Sequence, residues 1–335
     1  ARRGDGRGDG PFSPNTREGE SPGRGRHADR PKDIPKVGWK DILWRTKEQM
    51  KEDNLSIVAA GVAYYIFLGL FPALAALISI WGLVADPGTI QEQIASMGAF
   101  LPGEVLGILD QQMGRIANQS AGATLGAMLG ILLAIWSGAK AMKAVIMALN
   151  ITYDEDETRS FIRLNMTALL LTFAGIAALL LVIGLIAAGP GLLEKLGAGT
   201  TGAAVMSILR WPLLGLFGII ALGTLYRYAP DRNPARWRWV SWGAVIATLV
   251  WVAVSAGFSF YVGSFGNYNK TYGSLGAVVV LMLWLLISAY VVLLGAELNA
   301  EMEHQTAQDT TRGGKKARGE RRAFVADDLG ESRRN

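Results

Sequence analysis

The sequence predicts an all-α polytopic membrane protein: a bundle of six transmembrane helices with an amphipathic N-terminal interfacial helix and an external amphipathic helical hairpin. Three observations predict it. Half of the residues are hydrophobic, 50% of 335. No charged side chain occurs between Asp53 and Asp86, Arg115 and Lys140, Arg163 and Glu194, Arg238 and Lys270, or Lys270 and Glu297. A sixth apolar stretch, Ala203 to Tyr226, carries the single charge Arg210. A helix needs ~20 apolar residues to cross the ~30 Å hydrocarbon layer, and all six stretches are long enough. Soluble core helices are usually shorter and show a polar stripe.

The third observation is where the cations fall. Of the lysines and arginines, 29 lie in the two tails and in the connections after spans 2 and 4, against four (Arg115, Lys195, Arg210 and Lys270) on the other side. Counting only the short connections preserves the sign, eight against four. Cations are retained on the cytoplasmic side, so both termini are expected there.

Residues 1–35 are rich in Gly, Arg, Asp and Pro and poor in apolar groups, so a disordered basic cytoplasmic tail is expected. The repeated Arg3-Gly4-Asp5 and Arg7-Gly8-Asp9 reads as low complexity rather than as an adhesion signal. In segment 36–53, Trp39, Ile42, Leu43, Thr46 and Met50 share one helical face, while Lys36, Lys40, Lys47 and Lys51 lie largely off it. That is the pattern of an interfacial helix leading into a span.

The six-span domain covers 36–303, with spans near 55–85, 122–149, 161–188, 204–228, 239–262 and 274–300. Pro72 in span 1 and Pro212 in span 4 each remove a helix hydrogen bond and predict kinks or local openings. In the long external connection, Ile90, Ile94, Met97 and Leu101, then Val105, Leu109, Met113 and Ile116, recur at helical spacing around Leu101-Pro102-Gly103. This hairpin either caps the bundle or dips into the interface and lines an opening. Gly122, Gly126 and Gly130 form a strip that lets another helix approach closely. The acidic run Asp154-Glu155-Asp156-Glu157 lacks the alternating ligand spacing and turn glycine of a calcium loop. A solvated loop ordered against Arg159 or Arg163 is expected instead. Residues 304–335 are read as a second disordered basic tail.

Charges inside spans are costly, and they are the first functional candidates. Glu297 sits near the cytoplasmic end of span 6, Lys140 and Lys143 in the same half of span 2, and Arg163 at the start of span 3. Their similar depth predicts an ion-pair cluster around Glu297, with separate snorkelling of each side chain as the alternative. Arg210 lies about two turns into span 4, where it either snorkels outward or faces a water-filled cavity.

In order along the chain stand Ala59-Ala60-Gly61-Val62-Ala63-Tyr64-Tyr65 with Leu70-Phe71-Pro72, then Ala148-Leu149-Asn150 with Tyr153, Glu157 and Arg159. They are followed by Leu225-Tyr226-Arg227-Tyr228-Ala229-Pro230 and Gly243-Ala244. The last blocks are Trp251, Phe258, Tyr261, Tyr272-Gly273-Ser274-Leu275-Gly276 and Leu294-Gly295-Ala296-Glu297-Leu298-Asn299. This ordered set, across about residues 40–303, resembles the YihY/BrkB family of bacterial inner-membrane proteins, formerly called ribonuclease BN. Trp242 departs from the family's usual Pro before Gly-Ala. The resemblance implies six spans and an inner-membrane location without a settled activity. It adds Asn150 and Tyr65 to the candidate substrate or ion-pair residues Glu297, Lys140, Lys143, Arg163 and Arg210.

Ribonuclease chemistry is not expected. A metal-dependent nuclease needs clustered His and Asp ligands, and the two histidines, His27 and His304, stand far apart in the polar flanks. With no cysteine there is no disulfide or thiolate metal site, and no phosphate loop is present. No catalytic residue, metal or cofactor is expected. Two function classes remain. One is a transporter or flippase of a lipid or other amphipathic envelope molecule. The other is a non-transporting envelope-integrity scaffold or regulatory membrane protein. The expected partners are membrane lipids, an amphipathic substrate in the first case, and anionic headgroups for the basic tails, with no specific nucleic acid. Oligomeric state stays open.

Overall fold

The computed structural model describes residues 23–84, 122–195, 199–264 and 274–332. The expected external hairpin at 86–121 lies outside the described residues. Those described are helical, with no strand and a lone antiparallel bridge between Ala235 and Thr311. The helices are α1 (Lys36–Glu52), α2 (Leu55–Val84), α3 (Gly122–Thr152), α4 (Phe161–Lys195), α5 (Gly199–Tyr228), α6 (Trp237–Ser264), α7 (Ser274–His304) and the short α8 (Phe324–Asp327).

Six of these coincide with the apolar stretches. Inside a bilayer every backbone N–H and C=O must be satisfied within the segment, and a continuous helix does this. Five are long and apolar enough to cross a membrane: Leu55–Ala73, Met128–Thr152, Phe161–Ala178, Trp237–Val262 and Val278–His304. In α5 the apolar stretch among the described side chains is Pro212–Tyr228. Pro72 and Pro212 both lie within helices assigned without a break. The outward faces are apolar and bare, with Leu133, Leu170, Leu181, Leu249 and Phe260 all exposed. Exposure on this scale is unsuited to water and suited to lipid, which identifies a multi-pass membrane protein.

Each long helix packs against its neighbours in the chain, and α7 closes the ring by packing on both α2 and α3. α4 packs principally on α3 and α5, and Ala168 is its one fully buried described residue. The core gathers at the end of the bundle that carries both termini, around Leu55, Ile146, Leu149, Tyr153, Tyr226, Trp239, Leu293 and Met302.

The α6–α7 crossing is set by two glycines. A β-carbon on Gly243 would collide with the Gly295 carbonyl, and one on Gly295 would lie 2.6 Å from Ala247 Cβ. The approach is locked by Asn299, whose Oδ1 accepts the Gly243 N–H at 2.8 Å and whose Nδ2 donates to the Val240 carbonyl at 3.1 Å. The Tyr226 hydroxyl donates to the Val292 carbonyl at 2.7 Å and ties α5 to α7.

Helix α1 is present, and of its expected apolar face Ile42 and Thr46 are buried and Trp39 and Met50 pack against the core, but charged residues share the buried side. Gly38, Asp41, Ile42, Arg45 and Thr46 are inside, packed towards α7, and Leu43 is 58% exposed. Charge pairing into the protein therefore sets its rotation: Asp41 pairs with Arg24 at 2.7 Å, and Arg45 with Glu301.

The described parts of both tails are folded, which corrects the expectation of disorder. Residues 23–34 and 304–332 pack together as a cap. Arg26 donates to the carbonyls of His304 and Gly330 at 3.2 and 2.6 Å, and Thr306 Oγ1 donates to the Ala28 carbonyl at 2.7 Å. Arg321 donates to the carbonyls of Ala307 and Ala326 at 2.8 and 2.5 Å, and Val325 and Leu329 are fully buried. Composition misled because this order comes from arginines satisfying backbone carbonyls, which costs few apolar residues.

Candidate functional site

The most developed polar architecture is at this capped end, where the loops α3–α4 and α5–α6, the end of α7 and the cap converge. α3 stops where Asp154 takes a left-handed φ of 53°, a conformation that Asp and Asn tolerate better than other non-glycine residues. The turn is closed by the Glu155 N–H donating to the Asn150 carbonyl at 2.8 Å, in the manner of a helix C-terminal cap.

Asn150 is the node between the loops. Its Nδ2 donates to Glu157 Oε2 at 2.9 Å, and its Oδ1 accepts the Asp231 N–H at 2.8 Å. Glu157 is gripped by Arg159 at 2.7 and 2.6 Å, and Arg159 also donates to the Ala229 carbonyl at 3.0 Å. Asp231 accepts from the Thr158 N–H and hydroxyl at 2.7 and 2.6 Å. Burial pushes the Asp231 carboxyl up, but the Thr158 bonds and Arg159 outweigh it and hold it below the usual range. Glu157 of the acidic run is thus ordered against Arg159.

A second layer lies beneath. Arg232 pairs with Glu303 at 2.7 Å with both side chains buried, and its guanidinium lies 5.0 Å from the centroid of the buried Tyr153 ring. The Thr310 hydroxyl also donates to Glu303, at 2.5 Å. Arg45 bridges Glu301, the Gln305 amide oxygen at 2.8 Å and the Glu331 carbonyl at 2.8 Å. Glu155 accepts the Phe324 N–H of the cap at 2.8 Å. Burial, with Glu303 and Asp231 adding repulsion, raises its carboxyl to about 7 against the pull of Arg232 and of that N–H. Asp53, at the α1–α2 junction, is raised to about 7 by burial and then by the Asp154 carboxylate.

The predicted cluster around Glu297 does not form. Glu297 is fully buried, and neither carboxylate oxygen has a hydrogen-bond partner among the described residues. The charges acting on it are Glu301, Asp53 and Asp154, all acidic. Lys143 instead donates to Asn165 Oδ1 at 2.9 Å, and the exposed Lys140 ammonium lies 3.7 Å from the centroid of the Trp136 ring. Arg163 is exposed at the start of α4. Equal depth places these groups at one level but leaves them on different sides of their helices. Tyr65 is 43% exposed and stacks edge-on against Tyr64 with centroids 5.6 Å apart, away from the node. Arg210 belongs to α5, and its side chain lies outside the described residues. Of the candidates, Asn150 and Glu297 enter the capped end.

Sequence reading missed Arg45, Arg232, Asn299, Glu301 and Glu303. The available signal was the charge density of Glu297-Leu298-Asn299-Ala300-Glu301-Met302-Glu303, too polar for the end of a lipid-exposed span. Among the described residues no group of three or more His, Asp or Glu is placed to hold a metal ion.

Comparison with known proteins agrees with this framework. The family model described as virulence factor BrkB matches residues 46–320. A ribonuclease-like protein, YfkH, of Bacillus subtilis is 32% identical over 246 residues, covering 72% of this chain and 88% of the relative. A UPF0761 membrane protein of Tolumonas auensis is 27% identical over 286 residues, covering 82% and 88%. Another, of Rhodospirillum centenum, is 26% identical over 268 residues, covering 78% of this chain and 57% of that one. No solved structure matches the chain.

Proposed function

The chain belongs to the virulence factor BrkB family, and from that premise we propose that it is a transporter or flippase of a lipid or other amphipathic envelope molecule, not an enzyme. In this reading it crosses the bacterial inner membrane six times, with α5 as the sixth span and the capped end in the cytoplasm. The observation that carries it is the asymmetry of the ring. One end is closed by charged and amide groups interlocked across α1, α3, α6, α7 and both tails. α4, by contrast, rests principally on α3 and α5, and of its described side chains only Ala168 is fully buried. A ring firm at one end and lightly joined along one helix suits a path that opens sideways to lipid, and the uncompensated Glu297 suits a group that meets a mobile partner.

The ordered cap favours a second reading. A folded, strongly polar platform also serves a scaffold or regulator that presents this surface to other membrane proteins.

Purified full-length protein reconstituted into liposomes with headgroup-labelled lipids separates the two. Transport predicts labelled headgroups crossing the bilayer faster than in protein-free vesicles. No movement above that baseline across phosphatidylethanolamine, phosphatidylglycerol and lipid-linked precursors would rule transport out.

A further inference from the structure

Helix α1 turns one face to the protein and leaves another that no described element covers. Its charged residues are sorted between the two. Asp41 and Arg45 point inward and are paired, whereas Lys40, Lys47 and Lys51 are exposed together with Leu43, which is 58% exposed. Two shallow clefts share Lys47 on this outer face. One, of about 320 Å³, is lined by Lys40, Leu43, Trp44 and Lys47. The other, of about 390 Å³, lies over the α1–α2 junction, where Lys47 and Lys51 face Leu55, Ile57 and Tyr290. Glu48 meets Lys51 at 3.3 Å in an exposed pair, and Lys40 and Lys47 line the clefts as further cations.

We propose that these two clefts form a binding site for the phosphate headgroup of an anionic phospholipid. The site sits where the apolar stretches begin. Leu55 opens one candidate span, and Tyr290 lies within another. A headgroup phosphate held between Lys47 and Lys51 directs its acyl chains along Ile57, which is 72% exposed, and Tyr290. Trp44 and Leu43 occupy the boundary depth where an amphipathic side chain is favoured. Lysine ammoniums act on a phosphate as point charges and need no fixed fork geometry, which suits shallow clefts. The apolar walls select a lipid over a free phosphate, because only the lipid covers Leu43, Ile57 and Tyr290. Occupation of this site is independent of transport; a scaffold would carry it equally.

The test is native mass spectrometry of the full chain in detergent, titrated with phosphatidylglycerol or phosphatidylcholine of matched acyl chains. The expected result is several-fold more bound phosphatidylglycerol. The triple variant Lys40→Gln, Lys47→Gln, Lys51→Gln should bring it down to the phosphatidylcholine level with the thermal midpoint unchanged. Lys36→Gln, on the same helix outside both clefts, should leave the preference intact. Equal binding of the two lipids, a preference that survives the triple variant, or an equal loss in Lys36→Gln overturns the proposal. So does binding of chain-free glycerophosphoglycerol as tight as that of the lipid.

Discussion

Asn299 on α7 holds α6 by both ends of its amide, accepting from the Gly243 N–H and donating to the Val240 carbonyl. This clasp works because Gly243 and Gly295 let the backbones touch. Gly295→Ala and Gly243→Ala should therefore each cost about 1–3 kcal/mol through overpacking, read as a lower thermal midpoint in detergent. Gly257, where an added methyl would meet nothing within 4 Å, is the control: Gly257→Ala should hold or raise the midpoint, since alanine is the better helix former.

Arg45 is the cation that compensates the buried Glu301. Arg45→Met removes it and strands a charge, which costs about 3–5 kcal/mol when a buried pair is broken from one side. Because Arg45 also holds the Glu331 carbonyl and Gln305, the loss should free the C-terminal segment. Limited proteolysis should then cut within 305–332 in the variant before the wild type is cut there.

Asn150 faces a carboxylate with its amide nitrogen. Asn150→Asp replaces that donor by a second carboxylate against Glu157 while keeping the acceptor for the Asp231 N–H. The variant should be destabilised more at pH 8 than at pH 5, because acid relieves the repulsion. An equal drop at both pH values would show that Glu157 does not sense position 150.

Asp53 and Glu155 have folded-state values of about 7, raised from 3.8 and 4.5. A raised carboxylate binds protons more tightly in the folded protein. Its contribution is complete below the unfolded value and is lost as pH rises through the folded one. Stability should therefore decline between about pH 4 and pH 7 and level off above. The Asp53→Asn, Glu155→Gln double variant should flatten that slope, measured as thermal midpoint against pH.

Depth was legible in the sequence, and rotation was not. The helix ends were readable because hydrocarbon excludes charge, so Asp53, Arg163 and Arg238 mark where apolar segments can begin. The cost of a charge inside a span pointed to Glu297 and the resemblance to Asn150, but no spacing said that Lys140 turns out over Trp136 or that Lys143 meets Asn165. Those facts depend on the azimuth of each helix, which is set by contacts such as Gly243 against Gly295 between segments far apart in the chain. The folded cap was hidden for a related reason. Arg26 and Arg321 order it through backbone carbonyls, and a hydropathy pattern does not register such bonds.

The pairing of Arg26 with Gly330 and Ser332 joins positions 304 and 306 residues apart. During synthesis the arginine emerges long before its acceptors. At about 5–20 residues per second, roughly 15–60 s pass before they can meet. All the apolar helices have been made by then. Closure of the Arg26–Gly330 contact thus reports that translation has passed residue 330, whereas the bonds from Arg26 to His304 and from Thr306 to Ala28 can form about 25 residues earlier.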